Sequence, residues 1–307
     1  MPTAHNSLYR FFCLMVIVPM LFGAMACTKD NADGATPDSS ESLGSSLNIV
    51  SLNGAITEVL YDLGYGDQIV GIDITSTYPA DPLKGKAQLG HTSKLNAEAI
   101  LALAPDYIFC LESEADKPVL QQLANTGVKL VPITVSTHLN NSAEMAAQLH
   151  AHLGGDDKPV RALQEKIQSD SLSLAQFLTN QTTAPKVLFI YARGTGRLFV
   201  GGADTPVAAM IEKAGGVNAV ASMSGYKELT TESLLAADPD VLLLFSSGLA
   251  SLDGKAGLTQ ITGMEQVKAY QNDRIIAMDG HYLSSFGPRC GAAALELAQN
   301  IHQTTSN

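Results

Sequence analysis

The segment LNAEAILALAPD at residues 95–106 returns as LTTESLLAADPD at residues 229–240, with six of twelve positions identical and a constant offset of 134. A chain that writes one motif twice at that distance is built of two similar halves. Each half must bury the same apolar stripe in its own core. In both copies a capping residue, Asn96 or Thr230, comes just before the apolar positions, where its side-chain oxygen can accept from the first-turn amides. Leu95 with Ile100, and Leu229 with Leu234, have the spacing of a hydrophobic staple. Pro105 and Pro239 then stop the helix. The unbroken apolar runs YIFCL and VLLLF follow and read as buried strands. Each copy therefore predicts a helix feeding a strand of an α/β layer.

The remainder alternates in the same way. NIVSL, IVGID, KLVPI, KVLFIY and RIIAM read as strands, and AITEVLYDLG, KPVLQQLANTG, TPVAAMIEKAGG and GMEQVKAYQ as helices. Strands spaced by helices imply parallel sheets covered on both faces. Between the halves, residues 156–180 carry Val160, Leu163, Ile167, Leu174, Phe177 and Leu178 as an approximate helical stripe with no glycine. Pro159 suits its first turn. The predicted fold class is α/β, with two parallel-sheet lobes joined by a single long helix. The expected division is an N-terminal lobe over 47–155, the connecting helix over 156–180 and a C-terminal lobe over 181–307.

The first 26 residues stand apart. FFCLMVIVPMLFGAMA is an apolar run of sixteen, shorter than a membrane span, and it ends in Ala24-Met25-Ala26 before Cys27. That pattern is expected of a signal peptide over 1–26, with Cys27 as the lipidated N-terminus of a bacterial lipoprotein. Plain secretion that leaves Cys27 at the new terminus is the alternative. Residues 27–46 are polar and rich in Gly, Ser and Asp, the composition of a flexible tether to a membrane. In an oxidising compartment Cys110 and Cys290 either pair across the halves or stay as buried thiols. The net charge of −11, with no Lys/Arg cluster, argues against a nucleic-acid partner.

In this layout the chain resembles a substrate-binding protein of an ABC importer, of the subgroup that serves vitamin B12, ferric siderophores and haem. GIDITSTYP, LNAEAILALAPD and GGADTPVAAMIEKAGGVNAVASMSGYKELTTESLL look most like haem-binding members. The resemblance implies a non-catalytic carrier that delivers haem to a permease dimer. It also implies that Glu98 and Glu232, each seven residues before its proline, dock onto the two permease subunits. The residues alone favour the plainer role, in which these acids do no more than support their helix starts.

Tyr78 follows the second strand, where loops line the crevice of such sheets, and Pro79 biases it toward extended backbone. In haem-binding relatives a tyrosine in this loop ligates ferric iron. A phenolate is a suitable oxygen donor to Fe(III), provided the metal or a nearby cation favours ionisation. Packing of the loop, or stacking on another ligand such as a corrin, is the competing role. Haem carries two propionates, so Arg193, Arg197 and Arg289 are candidate contacts through the guanidinium fork. His91, His281 and Tyr282 are further candidates, and His138 a weaker one. Tyr65, Leu198, Phe199, Tyr282 and Phe286 are expected to supply apolar walls. A corrinoid or ferric-siderophore carrier is the nearest alternative, and a zinc or manganese carrier using His91, His138 and His281 a more distant one. No G-x-S-x-G, H-E-x-x-H or paired Cys-x-x-Cys pattern occurs, so an enzyme is not expected.

Overall fold

The computed structural model describes residues 47–303; the expected signal segment, the tether and Cys27 lie outside them. The first half contains strands β1 (Ile49–Ser51), β2 (Ile69–Ile72), β3 (Ala87–Gln88), β4 (Tyr107–Leu111) and β5 (Lys129–Ile133). They form one sheet in the order β3-β2-β1-β4-β5, every pair parallel. Helices α1 (Gly54–Asp62), α2 (Ala80–Leu83), α3 (Ala97–Leu101), α4 (Pro118–Ala124) and α5 (Asn141–Leu153) connect and cover it. Successive side chains of a strand point to opposite faces. Accordingly Ile49 and Phe109 enter a core with α1 and α5, while Val50, Ile108 and Cys110 enter a second core with Ile100, Leu120 and Leu123.

The second half contains β6 (Lys186–Ala192), β7 (Leu198–Gly201), β8 (Val217–Asn218), β9 (Tyr226–Glu228), β10 (Val241–Phe245) and β11 (Ile275–Met278). Its sheet runs β11-β10-β6-β7-β9, with β8 beside β6. Here the expectation of a parallel sheet holds only in part, because β7 pairs antiparallel with both β6 and β9. The reason is the connection: residues 193–197 are too few for a crossover, so the chain must turn straight back. The accompanying helices are α7 (Pro206–Lys213), α8 (Thr231–Ala237), α9 (Ser246–Ala250), α10 (Lys268–Gln271), α11 (Gly280–Ser284) and α12 (Cys290–Ile301). The helix expected over GMEQVKAYQ is instead a 3₁₀ turn at Met264–Gln266 followed by the single turn of α10.

One helix, α6 (Asp157–Thr179), belongs to both halves. At 1.5 Å per residue it is a bar of roughly 34 Å. Val160, Leu163 and Ile167 pack into the core of the first sheet, and Leu174, Phe177 and Leu178 into that of the second. Asp156 caps its start through Lys158 N at 2.8 Å. Cys110 and Cys290 are unpaired and buried; burial pushes their thiols up to about 12 and about 11.

The duplicated motif has the same surroundings in each half. Asn96 accepts from Ala99 N at 3.1 Å and Thr230 from Ser233 N at 3.1 Å, so both predicted caps form. Ala104 and Asp238, 134 positions apart, both adopt positive φ (46° and 38°) where the chain leaves the helix. The final Asp then latches the strand at the sheet's centre. Asn48 N donates to Asp106 Oδ2 at 2.8 Å, and Asp106 N returns a bond to Asn48 O at 2.8 Å. In the second half Lys186 N donates to Asp240 Oδ2 at 2.9 Å, and Asp240 N to Lys186 O at 2.8 Å. Proline ends the helix, and aspartate registers the next strand against its neighbour. Asp106→Ala and Asp240→Ala should each lower the stability measured by urea denaturation by about 1 kcal/mol, the typical net value of such a bond.

Candidate functional site

The two halves meet around a single carboxylate. Glu58 sits in the middle of α1, a helix whose residues from Gly54 to Leu60 are all buried, and is itself 3% exposed. A buried charge needs partners, and they come from the segment that follows β11 in the other half. His281 Nε2 lies 2.7 Å from Glu58 Oε1. Arg289 Nε donates to Glu58 Oε2 at 2.9 Å and its NH2 to Oε1 at 2.5 Å. This is a forked, charge-assisted pair. Burial pushes the Glu58 carboxyl up, but the hydrogen bonds from Arg289 and His281, with their charges, outweigh that and hold it below its ordinary value. Burial works against the charged form of Arg289, and Glu58 more than compensates, so the guanidinium is held above its ordinary value.

Neutral contacts complete the junction. Asn141 Nδ2 donates to Phe286 O at 3.0 Å, Lys166 Nζ of α6 to Pro288 O at 2.9 Å, and the Cys290 thiol to Leu139 O at 3.3 Å. Gly54 faces the histidine directly: an added Cβ would stand 2.4 Å from both His281 Cε1 and Thr75 O. Only glycine fits there.

Tyr78 lies at the edge of this junction, 45% exposed, and the Tyr78–Pro79 peptide bond is cis. The Arg289 guanidinium carbon sits 3.7 Å from the centroid of its ring. Both residues line a groove of about 420 Å³ with Glu58, Asp62, Pro159 and Lys166, so α1, the tyrosine loop, α6 and the start of α12 all contribute to it. The volume falls within the roughly 300–1,000 Å³ of small-molecule sites. Burial and the neighbouring Glu58 raise the Asp62 carboxyl, while Lys166 and Arg289 act in the opposite direction.

The structure brings Tyr78, His281, Tyr282 and Arg289 together, with Arg289 also 5.1 Å from the Tyr282 ring. Burial, with the Glu296 carboxylate, pushes the Tyr282 phenol up to about 12. Neither His281 nor Arg289 is unpaired, because Glu58 occupies both. Arg193 and Arg197 stand apart, exposed on the turn between β6 and β7, with Arg193 5.3 Å from the Tyr191 ring. Tyr191, Phe199 and Tyr226 form an aromatic hollow of about 400 Å³ beside it. His91 is exposed and caps its own turn, accepting from Ser93 N at 3.1 Å. His138 lines a separate hollow between the halves with Asn53, Leu111 and Phe286. Among the described residues no three His, Cys, Asp or Glu side chains gather as a metal site, and the set His91, His138 and His281 does not converge. Glu98 and Glu232 are exposed in the first turns of α3 and α8.

Two expected walls are corrected. Tyr65 is buried and donates to Gly154 O at 2.9 Å, and Phe286 is buried in the second half's core. Sequence reasoning missed Glu58. Its signal was an acid within an otherwise apolar helix, AITEVL.

The sequence profile of the periplasmic binding protein family matches residues 49–282. The chain belongs to that family. Among relatives, it is 26% identical over 263 residues to an uncharacterised ABC transporter substrate-binding lipoprotein of Bacillus subtilis, covering 84% of this chain and 80% of that one. It is 25% identical over 270 residues to the vitamin B12-binding protein of Photorhabdus laumondii, covering 85% and 90%. Among solved structures, the periplasmic haem-binding protein RhuT of Roseiflexus sp. RS-1, in apo form, superposes with a TM-score of 0.79 at 35% identity, covering 84% and 98%. Members of this family are extracytoplasmic carriers that work with ABC transporters.

The Glu58 cluster should give the junction a defined acid sensitivity. Because the folded carboxyl lies below its ordinary 4.5, the cluster's stabilisation is complete above that pH and is lost as pH falls through the folded value. Glu58→Gln should be less stable than the parent at pH 7. That difference should shrink below pH 4.5 in urea midpoints taken at successive pH values. Glu58→Ala should cost about 2–3 kcal/mol, less than a fully buried pair because Arg289 is partly exposed.

Proposed function

We propose that this protein is an extracytoplasmic haem carrier that hands its cargo to an ABC importer, with ferric iron held by the Tyr78 phenolate. The observation that carries the proposal is the setting of Tyr78: an exposed phenol in an open groove where both halves and α6 meet, with a guanidinium against its ring. An anionic oxygen donor suits Fe(III), and Arg289 is an electrostatic partner for it. The likeness to a haem-binding protein over nearly its whole length supports the same cargo. Arg193, with Arg197, is the cation left open to a propionate, and the hollow of Tyr191, Phe199 and Tyr226 an apolar wall. His281, Tyr282 and Arg289 join the ligand shell only if Glu58 releases its partners. His91 remains a peripheral candidate.

A second proposal, a corrinoid carrier, is favoured by the vitamin B12-binding relative; there Tyr78 would stack on a corrin instead of ligating iron. Absorption spectra separate the two. Haem added to the protein should give a Soret band with the charge-transfer features of a ferric tyrosinate, and Tyr78→Phe should lose them. Cobalamin bound in preference to haem would establish the corrinoid reading.

Delivery rests on Glu98 and Glu232, which occupy matching positions of the repeat, as a two-fold permease requires. The Glu98→Ala/Glu232→Ala double variant should bind haem as the parent does and fail to stimulate uptake through the reconstituted importer. Cys27 is proposed as the lipid-bearing terminus, and mass spectrometry of the exported protein should find a diacylglycerol adduct on it.

A further inference from the structure

Tyr78 is exposed, and so are Thr77, Ala80, Asp81 and Pro82 around it. Beyond the Arg289 guanidinium over its face, little packing fixes the ring, so the backbone that carries it is set by the two ends of its loop. On the far side the anchor is Leu83, 4% exposed in the first core. On the near side it is polar. Asp73 is 1% exposed and, among the described residues, forms no ion pair. Its carboxylate accepts from Thr75 N at 3.2 Å, Thr75 Oγ1 at 2.7 Å and Ser76 Oγ at 2.8 Å.

Both hydroxyls are in turn tied to α1. Gly54 N donates to Thr75 Oγ1 at 2.9 Å. Ser76 Oγ lies 2.7 Å from Thr57 Oγ1, which is itself 2.8 Å from Ser51 Oγ of β1. Ser76 commits its proton to the carboxylate, which can only accept, so only Thr57 can donate at that contact, its single proton shared with Ser51 Oγ and Asn53 O. The chain Asp73–Ser76–Thr57 thus pins the loop, two residues before Tyr78, to the rigid pair of β1 and α1. Thr57, Ser76 and Asp73 are all buried, so water cannot replace these bonds without cost.

We propose that Thr57, Ser76 and Asp73 are positioning residues for Tyr78: their hydroxyl–carboxylate chain fixes the distance at which the phenol oxygen meets its ligand's metal. A ligating group must be held to within roughly 0.5 Å by its supporting shell, and nothing else on the near side of this loop is both buried and bonded to α1. The inference rests on the iron-ligand role proposed for Tyr78.

The test is ferric haem titration of the full mature protein, followed by absorption and by electron paramagnetic resonance. Thr57→Val keeps the side-chain shape and removes the donor; Ser76→Ala cuts the same link from the loop side and stands in if Thr57→Val misfolds. Each should weaken haem binding by about 10–100-fold, the usual effect of removing a ligand's outer partner. Each should also shift the tyrosinate charge-transfer band and the rhombic iron signal, with native circular dichroism retained. Thr57→Ser, which restores the hydroxyl, should recover both. Parent-like affinity and spectra in Thr57→Val and Ser76→Ala, with the tyrosinate features lost in Tyr78→Phe, overturn the positioning role and leave the ligand intact. Tyrosinate features that survive in Tyr78→Phe overturn the ligand role, and the positioning role with it.

Discussion

A carboxylate buried to 3% exposure must be matched by positive charge, and Glu58 finds that charge across the junction between the halves. This requirement organises the region around it. It draws His281 and Arg289 from the segment after β11 onto α1, brings Gly54 against the histidine ring, and leaves the Arg289 guanidinium over Tyr78. The bonds that join the halves and the electrostatics next to the candidate ligand are therefore one arrangement. A cargo that needed Arg289 for itself would have to replace Glu58 as its partner, and its binding would then be energetically linked to the contact between halves.

The repeat explains how such a junction arises. Each half ends a short helix with Pro-Asp and uses the aspartate to register a central strand. The strands that follow, β4 and β10, occupy matching places beside β1 and β6. Segments that leave strands of the two sheets, α1 after β1 and residues 279–289 after β11, then confront one another. What differs between the halves is the detail that cargo would sense: a phenol loop in one, and in the other a β-hairpin with an aromatic hollow and an arginine turn. Relatives named for vitamin B12 and for haem match this chain over most of its length.

Much of this was legible in the sequence because it is local. Caps, staples and helix stops act within a few residues, and the stripe from Val160 to Leu178 announces α6 directly. Tyr78 could be placed because strand ends of parallel sheets open onto a crevice. The antiparallel return of β7 was implicit in five residues of connection, yet the helix-strand alternation around it suggested otherwise. Contacts between residues 223 and 231 apart, as for Glu58 with His281 and Arg289, have no local signature beyond an acid in an apolar helix. Tyr65 and Phe286 show the same limit from the other side: aromatic residues in loops look available for cargo, but here they fill the cores of the two halves.

Helix α6 carries one more consequence. Its first buried residues, Val160, Leu163 and Ile167, complete one half, and Leu174 completes the other, with no buried residue between Ile167 and Leu174. Neither half excised at its last strand would possess a finished interior. Exchange of halves with a related carrier can therefore preserve both interiors only when the breakpoint falls inside the helix, in the stretch 168–173 that holds no buried residue, and not in the loops at either end of it.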